Sequence, residues 1–191
     1  DEKLKISIYN LSSTSCASST LTKLNTYLYL LDERLESLSI LIINILQVSY
    51  VPSNTDNKKK LPKLKCFSLK SYCRIFYYDS QIVPLLRRMS NLEELTLLLA
   101  KQYSLPFITF SHLVKLHLNL AHIDYVEQFL YERNAHLPRQ LSLQIQYGTL
   151  SILKINFTNY AARVNCAKIQ RLVIKEQFVC PQNFHSYFPL L

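Results

Sequence analysis

One spacing recurs along this chain: apolar residues at a first position, at the third and sixth residues after it, and at the eighth. Leu61, Leu64, Phe67 and Leu69 follow it. So do Met89, Leu92, Leu95 and Leu97, and again Phe110, Leu113, Leu116 and Leu118. Leu35, Leu38, Leu41 and Ile43 fit as well, and so do Cys166, Ile169, Leu172 and Ile174. The final step of two residues is the period of a strand with one buried face, whereas the two steps of three belong to a turn leading into it. A chain that repeats such a unit stacks one short strand on the next.

This is the signature of a leucine-rich repeat. With the third apolar residue of each unit as anchor, the anchors are Leu24, Leu41, Phe67, Leu95, Leu116, Leu141 and Leu172, separated by 17, 26, 28, 21, 25 and 31 residues. Four of those six intervals lie within the roughly 20–29 residues of such repeats, so the units are degenerate. The 17-residue step suggests a deletion, and the Leu141 unit carries one extra residue after Leu137. Between anchors the period turns helical. Residues 79–89 read as a helix with polar caps at the start and Pro84 in the first turn, where a missing N–H costs least. Residues 122–134 read as another, with Ile123, Val126, Phe129 and Leu130 on one face. Tyr160 to Val164 and Gln182 to Phe188 are weaker candidates. Strand and helix alternating at a near-constant period imply parallel strands joined by crossovers. The expected fold is an α/β leucine-rich-repeat solenoid: a curved horseshoe with parallel strands concave and helices convex, forming a single domain over residues 1–191 with about seven or eight degenerate repeats.

The 191 residues suffice for one sizeable core, and the apolar content of 49% excludes a disordered chain. The single glycine, Gly148, rules out both Gly-rich phosphate-binding loops. No apolar run reaches the roughly 18–20 residues of a membrane-spanning helix. Cys16, Cys66, Cys73, Cys166 and Cys180 make an odd number without a C-x-x-C pair, the pattern of a reducing compartment rather than a disulfide framework. Asn10-Leu11-Ser12 and Asn156-Phe157-Thr158 match the glycosylation acceptor triplet, a match that arises often by chance. Both ends read as cut from a longer protein. The apolar run Tyr187 to Leu191, with no charged residue after Glu176, reads as a capless end prone to self-association.

Few residues could carry chemistry. His112, His117 and His122 are five apart, share no helical face and have no acidic or cysteine ligand beside them, so no metal site is expected. Glu93 and Glu94 read as a solvated face. No serine is flanked by the glycines of a nucleophile elbow. The expectation is a non-enzymatic protein without catalytic residues, cofactor or metal. What remains is the strand face opposite the anchors, where the partner-binding candidates are Glu94, Thr96, Leu98, Lys115, His117, Asn119, Gln140, Ser142, Gln144, Arg171, Val173 and Lys175. The net charge of +9 gathers partly in a loop at 52–60 and in Lys63, Lys65, Lys70 and Arg74. A nucleic-acid surface is the weaker alternative, because no aromatic residues interleave those lysines.

Residues 61–69, the run from Asp79 to Leu99 around Pro84, and residues 165–172 resemble the leucine-rich-repeat half of F-box proteins from a large expanded invertebrate family. The resemblance covers most of the chain. It implies a cytoplasmic or nuclear substrate adaptor whose repeats hold a protein target while its F-box docks on a cullin-type ubiquitin ligase. Residues 1–191 contain no F-box, so docking on the ligase core would depend on sequence upstream of Asp1. A structural or scaffold repeat module unrelated to ubiquitination is the alternative.

Overall fold

The structure is a computed structural model that describes residues 6–11, 14–21, 38–45, 60–74, 82–100, 108–119, 121–131, 135–138, 140–150, 160–180 and 184–191. The strands are β1 (Ile6–Leu11), β2 (Thr14–Leu21), β3 (Ile40–Ile45), β4 (Cys66–Arg74), β5 (Glu94–Ala100), β6 (Ile108–Thr109), β7 (Lys115–His117), β8 (Ala135–His136), β9 (Leu141–Gln144) and β10 (Ile169–Val173). The helices are α1 (Val83–Arg88), α2 (Ile123–Leu130), α3 (Tyr160–Cys166) and α4 (Phe184–Tyr187). Eight strands form one α/β sheet in the order β1-β2-β3-β4-β5-β7-β9-β10. Every neighbouring pair is parallel except β1 and β2, which run antiparallel. From β2 onward the spatial order is the chain order, each parallel neighbour being reached by a crossover.

The anchors lie in register. Leu41 pairs with Phe67, Phe67 with Leu95, and Leu95 with Leu116. Next comes Leu143, which in turn pairs with Leu172. Along β3, β5, β7 and β9 the residues alternate between buried and partly or fully exposed, as a sheet with one covered face requires. The four apolar positions from Leu61, Met89 and Phe110 are all buried, and with α1 and α2 they form one contiguous cluster. The steps of three are turns: Leu64 N–H donates to the Leu61 carbonyl at 3.3 Å, and Leu92 N–H to the Met89 carbonyl at 3.4 Å. Each turn carries two successive apolar side chains of its unit toward the core before the strand begins.

A second periodic bond joins the units. The carbonyl two residues before an anchor accepts the two N–H groups that precede the next anchor. The Ser39 carbonyl takes Lys65 and Cys66 (2.9 and 3.0 Å), that of Lys65 takes Glu93 and Glu94 (2.8 and 2.9 Å), and that of Glu93 takes Val114 and Lys115 (2.7 and 3.0 Å). At the fourth joint the pattern splits. Ser142 N–H donates to the Val114 carbonyl at 2.8 Å, but Leu141 N–H turns to the Lys168 carbonyl at 3.1 Å.

The split corrects the anchor of that unit and removes its extra residue: Leu143 follows Leu137 by the regular six residues, and the unmatched residue lies on β10 between Ile169 and Arg171. Leu143, not Leu141, occupies the anchor row, two residues later on the same face. Leu141 pairs with Ile169 and takes the place of the second apolar residue. Gln140, just before it, has φ of 69°, the only positive φ among the described residues. With this anchor, the intervals from Leu41 to Leu172 become 26, 28, 21, 27 and 29 residues, a narrower spread. Sequence reading took the first leucine as the mark of the strand, whereas pairing chose the one opposite Leu116 and Leu172.

The N-terminal part also departs from expectation. The parallel neighbour of β3 is Thr14–Leu21, with Ala17 opposite Leu41. Leu24 therefore does not anchor that strand, and it lies outside the described residues. A Ser-, Thr- and Cys-containing strand carries no leucine signal. Strand β1 joins β2 as an antiparallel neighbour rather than as one more parallel unit.

Helix α1 starts from Ile82, with no side-chain cap and Pro84 in its first turn. The polar caps expected at 79–81 lie outside the described residues, as does the loop at 52–59. Helix α2 is capped by His122, whose Nδ1 accepts from Asp124 N–H at 3.4 Å. It ends at Leu130, earlier than the spacing predicts. Beside α1 and α2, strands β6 and β8 form a separate two-stranded parallel sheet. Asn165 ties this region together. Its buried Nδ2 donates to the Phe129 carbonyl at 3.0 Å and to the Ala135 carbonyl at 2.8 Å, and its Oδ1 accepts from Lys168 Nζ at 3.1 Å.

The C-terminal segment is not capless. Phe188 is fully buried, and rings run from Tyr147 through Phe178 and Phe184 to Phe188 with centroid separations of 5.5, 5.1 and 4.9 Å. The sequence pattern showed apolar residues without charge there, and the fold turns two of them inward. Val179, Leu190 and Leu191 remain exposed.

Candidate functional site

Because the anchors of successive strands are in register, so are the residues beside them. One row across the outward face reads Ile40, Cys66, Glu94, Lys115, Ser142 and Arg171. The next reads Ile42, Ser68, Thr96, His117, Gln144 and Val173. Adjacent members of a row stand about 4.8 Å apart, so side chains of ordinary length meet across strands.

They meet most closely at β5, β7 and β9. Lys115 Nζ donates to Glu94 Oε2 at 3.3 Å. His117 Nε2 lies 3.3 Å from Glu94 Oε1. His117 Nδ1 lies 2.9 Å from Gln144 Oε1. An Oε1 acceptor at this distance pairs with the ring tautomer that carries its proton on Nδ1. The Nε2 approach to Glu94 is close enough for an ion pair but out of line for a hydrogen bond, which leaves Nε2 buried without a hydrogen-bond partner. In the neutral ring that nitrogen turns a lone pair toward a carboxylate, and in the protonated ring it turns an N–H. The chain Lys115, Glu94, His117, Gln144 holds four side chains from three strands in one arrangement.

Glu93 and Glu94 diverge. Glu93 reaches Lys65 Nζ at 2.8 Å across an exposed edge, while Glu94 is half-buried within the chain just described. The expectation of a common solvated face is therefore corrected. Glu94 and Glu93 point apart because successive residues at a strand start face opposite ways.

Of the other candidates, Thr96 and Leu98 flank Leu97 on β5, both half-buried, and Ser142 and Gln144 do the same on β9. Asn119 sits in the turn after β7, two residues past the ladder. Gln140 does not belong to the face. It precedes β9 in the left-handed conformation and pairs with no strand, because Ser142 occupies the row that Gln140 was expected to share. Arg171 and Val173 stand on β10, and exposed Lys175 continues their alternation beyond half-buried Ile174. Missed from sequence were the Lys65–Glu93 pair and the His117–Gln144 contact. Both are cross-strand, with partners 28 and 27 residues apart, and only register brings them together.

His112 is exposed and His122 caps α2, so the three histidines diverge as their spacing predicts. Among the described residues no group of three or more His, Cys, Asp or Glu could hold a metal ion. No helix among them is long and apolar enough to cross a membrane. Cys66, Cys166 and Cys180 are outside disulfides, and burial pushes the Cys166 thiol up to about 12.

Comparison of the chain with protein-family models, with curated proteins and with solved structures finds no match.

Proposed function

We propose that this chain is a protein-binding module: a leucine-rich-repeat solenoid whose strands line a concave face that receives a protein target. The observation that carries the reading is the row of paired, half-exposed side chains on the outward face of β5, β7, β9 and β10, held in fixed positions by a ladder with repeating register. Such a face suits recognition because its side chains are ordered before binding, which lowers the entropic cost of association. The contact set is Glu94, Thr96, Leu98, Lys115, His117, Asn119, Ser142, Gln144, Arg171, Val173 and Lys175, of which a few would carry most of the affinity. Gln140 leaves the set for the reason given above.

Within this reading, the resemblance of 61–69, 79–99 and 165–172 to F-box repeat proteins supports the role of substrate-holding half of a ubiquitin ligase adaptor, in the cytoplasm or nucleus and without catalytic activity of its own. The test is comparative affinity capture from cell extract, using the wild-type protein and a Thr96→Arg, Ser142→Arg variant shown to melt like the wild type. The expected result is a protein recovered in stoichiometric amount by the wild type and lost from the variant. Recovery of the same proteins by both would remove the docking face. Recovery of a target without ubiquitin ligase components, in an otherwise competent extract and with the full reading frame, would leave a scaffold module.

A further inference from the structure

The rows of the outward face are not uniform in charge. Its charged positions on β4 to β7 are Lys70, Arg74, Glu94 and Lys115, with Glu94 and Lys115 paired at 3.3 Å. Toward β10 the balance changes. Arg171 and Lys175 are both exposed, and no carboxylate stands on the outward positions of β9 or β10. Glu176, the nearest acid in sequence, is engaged by the backbone: its Oε2 accepts from Tyr147 N–H at 2.6 Å. Between the two cations lies half-buried Val173, and next to it half-buried Gln144.

Resting on the docking function proposed above, we propose that the β10 side of this face takes an acidic protein segment in extended conformation, with two carboxylates four residues apart and an apolar residue midway. In extended backbone, side chains repeat on one face every second residue, and four residues span about 13 Å. A segment laid along β10 therefore sets carboxylate, apolar side chain and carboxylate against Arg171, Val173 and Lys175. Arg171 can take its carboxylate in bidentate fashion, whereas Lys175 acts as a point charge on a flexible stem. The paired Glu94 and Lys115 contribute little net field, so the segment is drawn to the β10 side rather than to the middle of the sheet. A nucleic-acid strand fits less well. The outward positions of β5, β7, β9 and β10 hold no Phe, Tyr or Trp for bases to stack on, and Val173 stands where a phosphate chain would want a donor.

The test uses a fluorescein-labelled nine-residue peptide that alternates valine and threonine beginning with valine, with glutamate in place of its third and seventh residues so that valine stands midway between them, titrated with the whole chain. Binding is expected below about 1 mM. It should weaken roughly tenfold or more in the Arg171→Glu, Lys175→Glu variant, and a peptide with lysines replacing the glutamates should then bind that variant better than the wild type. The proposal is overturned if a glutamine peptide binds as well as the glutamate one, if no acidic peptide binds, or if a single-stranded oligonucleotide of equal charge binds more tightly. A Ser142→Trp variant separates the two levels of the reading. If it abolishes binding while the charge reversal does nothing, the acidic-segment proposal falls and the docking face stands. If neither variant alters binding, both fall.

Discussion

At the scale of single residues, two positions show how local chemistry answers to the fold. Gln140 adopts φ of 69°, a region that costs a residue with a Cβ on the order of 1 kcal/mol and costs glycine little. Gln140→Gly should therefore be neutral or stabilising by up to about 1 kcal/mol in urea melts, and Gln140→Val destabilising by about 1–2 kcal/mol. Equal stability of the two variants would mean that residue 140 does not occupy the left-handed region. Cys166 is fully buried, and its thiol is raised from 9.0 to about 12 because burial disfavours the thiolate. The folded state thus holds its proton where the unfolded state releases it. The contribution is fully present below pH 9, declines as pH rises by about 1.4 kcal/mol per unit, and is gone above about pH 12. Urea melts across that window should show a shallower decline for Cys166→Ala than for wild type, after its constant cavity cost is subtracted. Parallel curves would place the thiol in contact with water.

At the scale of elements, the unit is a turn, a strand and a returning segment, and its stability rests on anchors that touch the units on either side. Leu95 and Leu116 are fully buried and opposite one another on β5 and β7. Truncation of either to Ala should cost roughly 2–5 kcal/mol. Because the two side chains are neighbours in one row, the double variant should deviate from the sum of the singles by about 0.5 kcal/mol or more. Denaturant titration of the three proteins checks both statements. A loss below about 1 kcal/mol for Leu95→Ala would mean that its strand is not held in the ladder. The helices were partly legible: Val126, Phe129 and Leu130 announce the buried face of α2, and Pro84 announces the first turn of α1. The two-residue strands β6 and β8 and the helical turn at 147–150 were not, since segments so short carry no period and exist only because neighbours complete their hydrogen bonds.

At the scale of the whole molecule, the described elements form a sheet that grows one strand at a time, so the side of β10 facing away from β9 would be open without further packing. The aromatic run from Tyr147 to Phe188 supplies such packing, yet Leu172 and Ile174 remain only partly buried where their counterparts Leu116 and Leu118 are fully so. Phe188→Ala should cost about 3–5 kcal/mol and shift the protein toward concentration-dependent association, read by sedimentation at several loadings. A variant that stays monomeric and loses less than about 1 kcal/mol would show that α4 contributes nothing to the end of the sheet. The exposed outward positions Lys115 and Arg171, by contrast, should tolerate substitution, because surface side chains contribute little to stability.

The sequence by itself determined the repeating element. Spacings of three, three and two can be met only by a turn feeding a half-buried strand, and the buried set from Leu61, Met89 and Phe110 follows that rule residue by residue. It also determined which residues flank the anchors on β5, β7 and β10, since alternation along a strand is strict. Tertiary structure alone decided the register. Leu141 and Leu143 are both leucines on one face, and the second position of the regular spacing from Leu137 falls on Gln140, so the leucine pattern alone points to Leu141, but only Leu143 stands opposite both Leu116 and Leu172. The same dependence governs the site. Glu94, Lys115, His117 and Gln144 were each visible as outward residues, yet their contacts cross strands separated by more than twenty residues, and hydrogen bonding between backbones, not any property of the side chains, sets which of them meet.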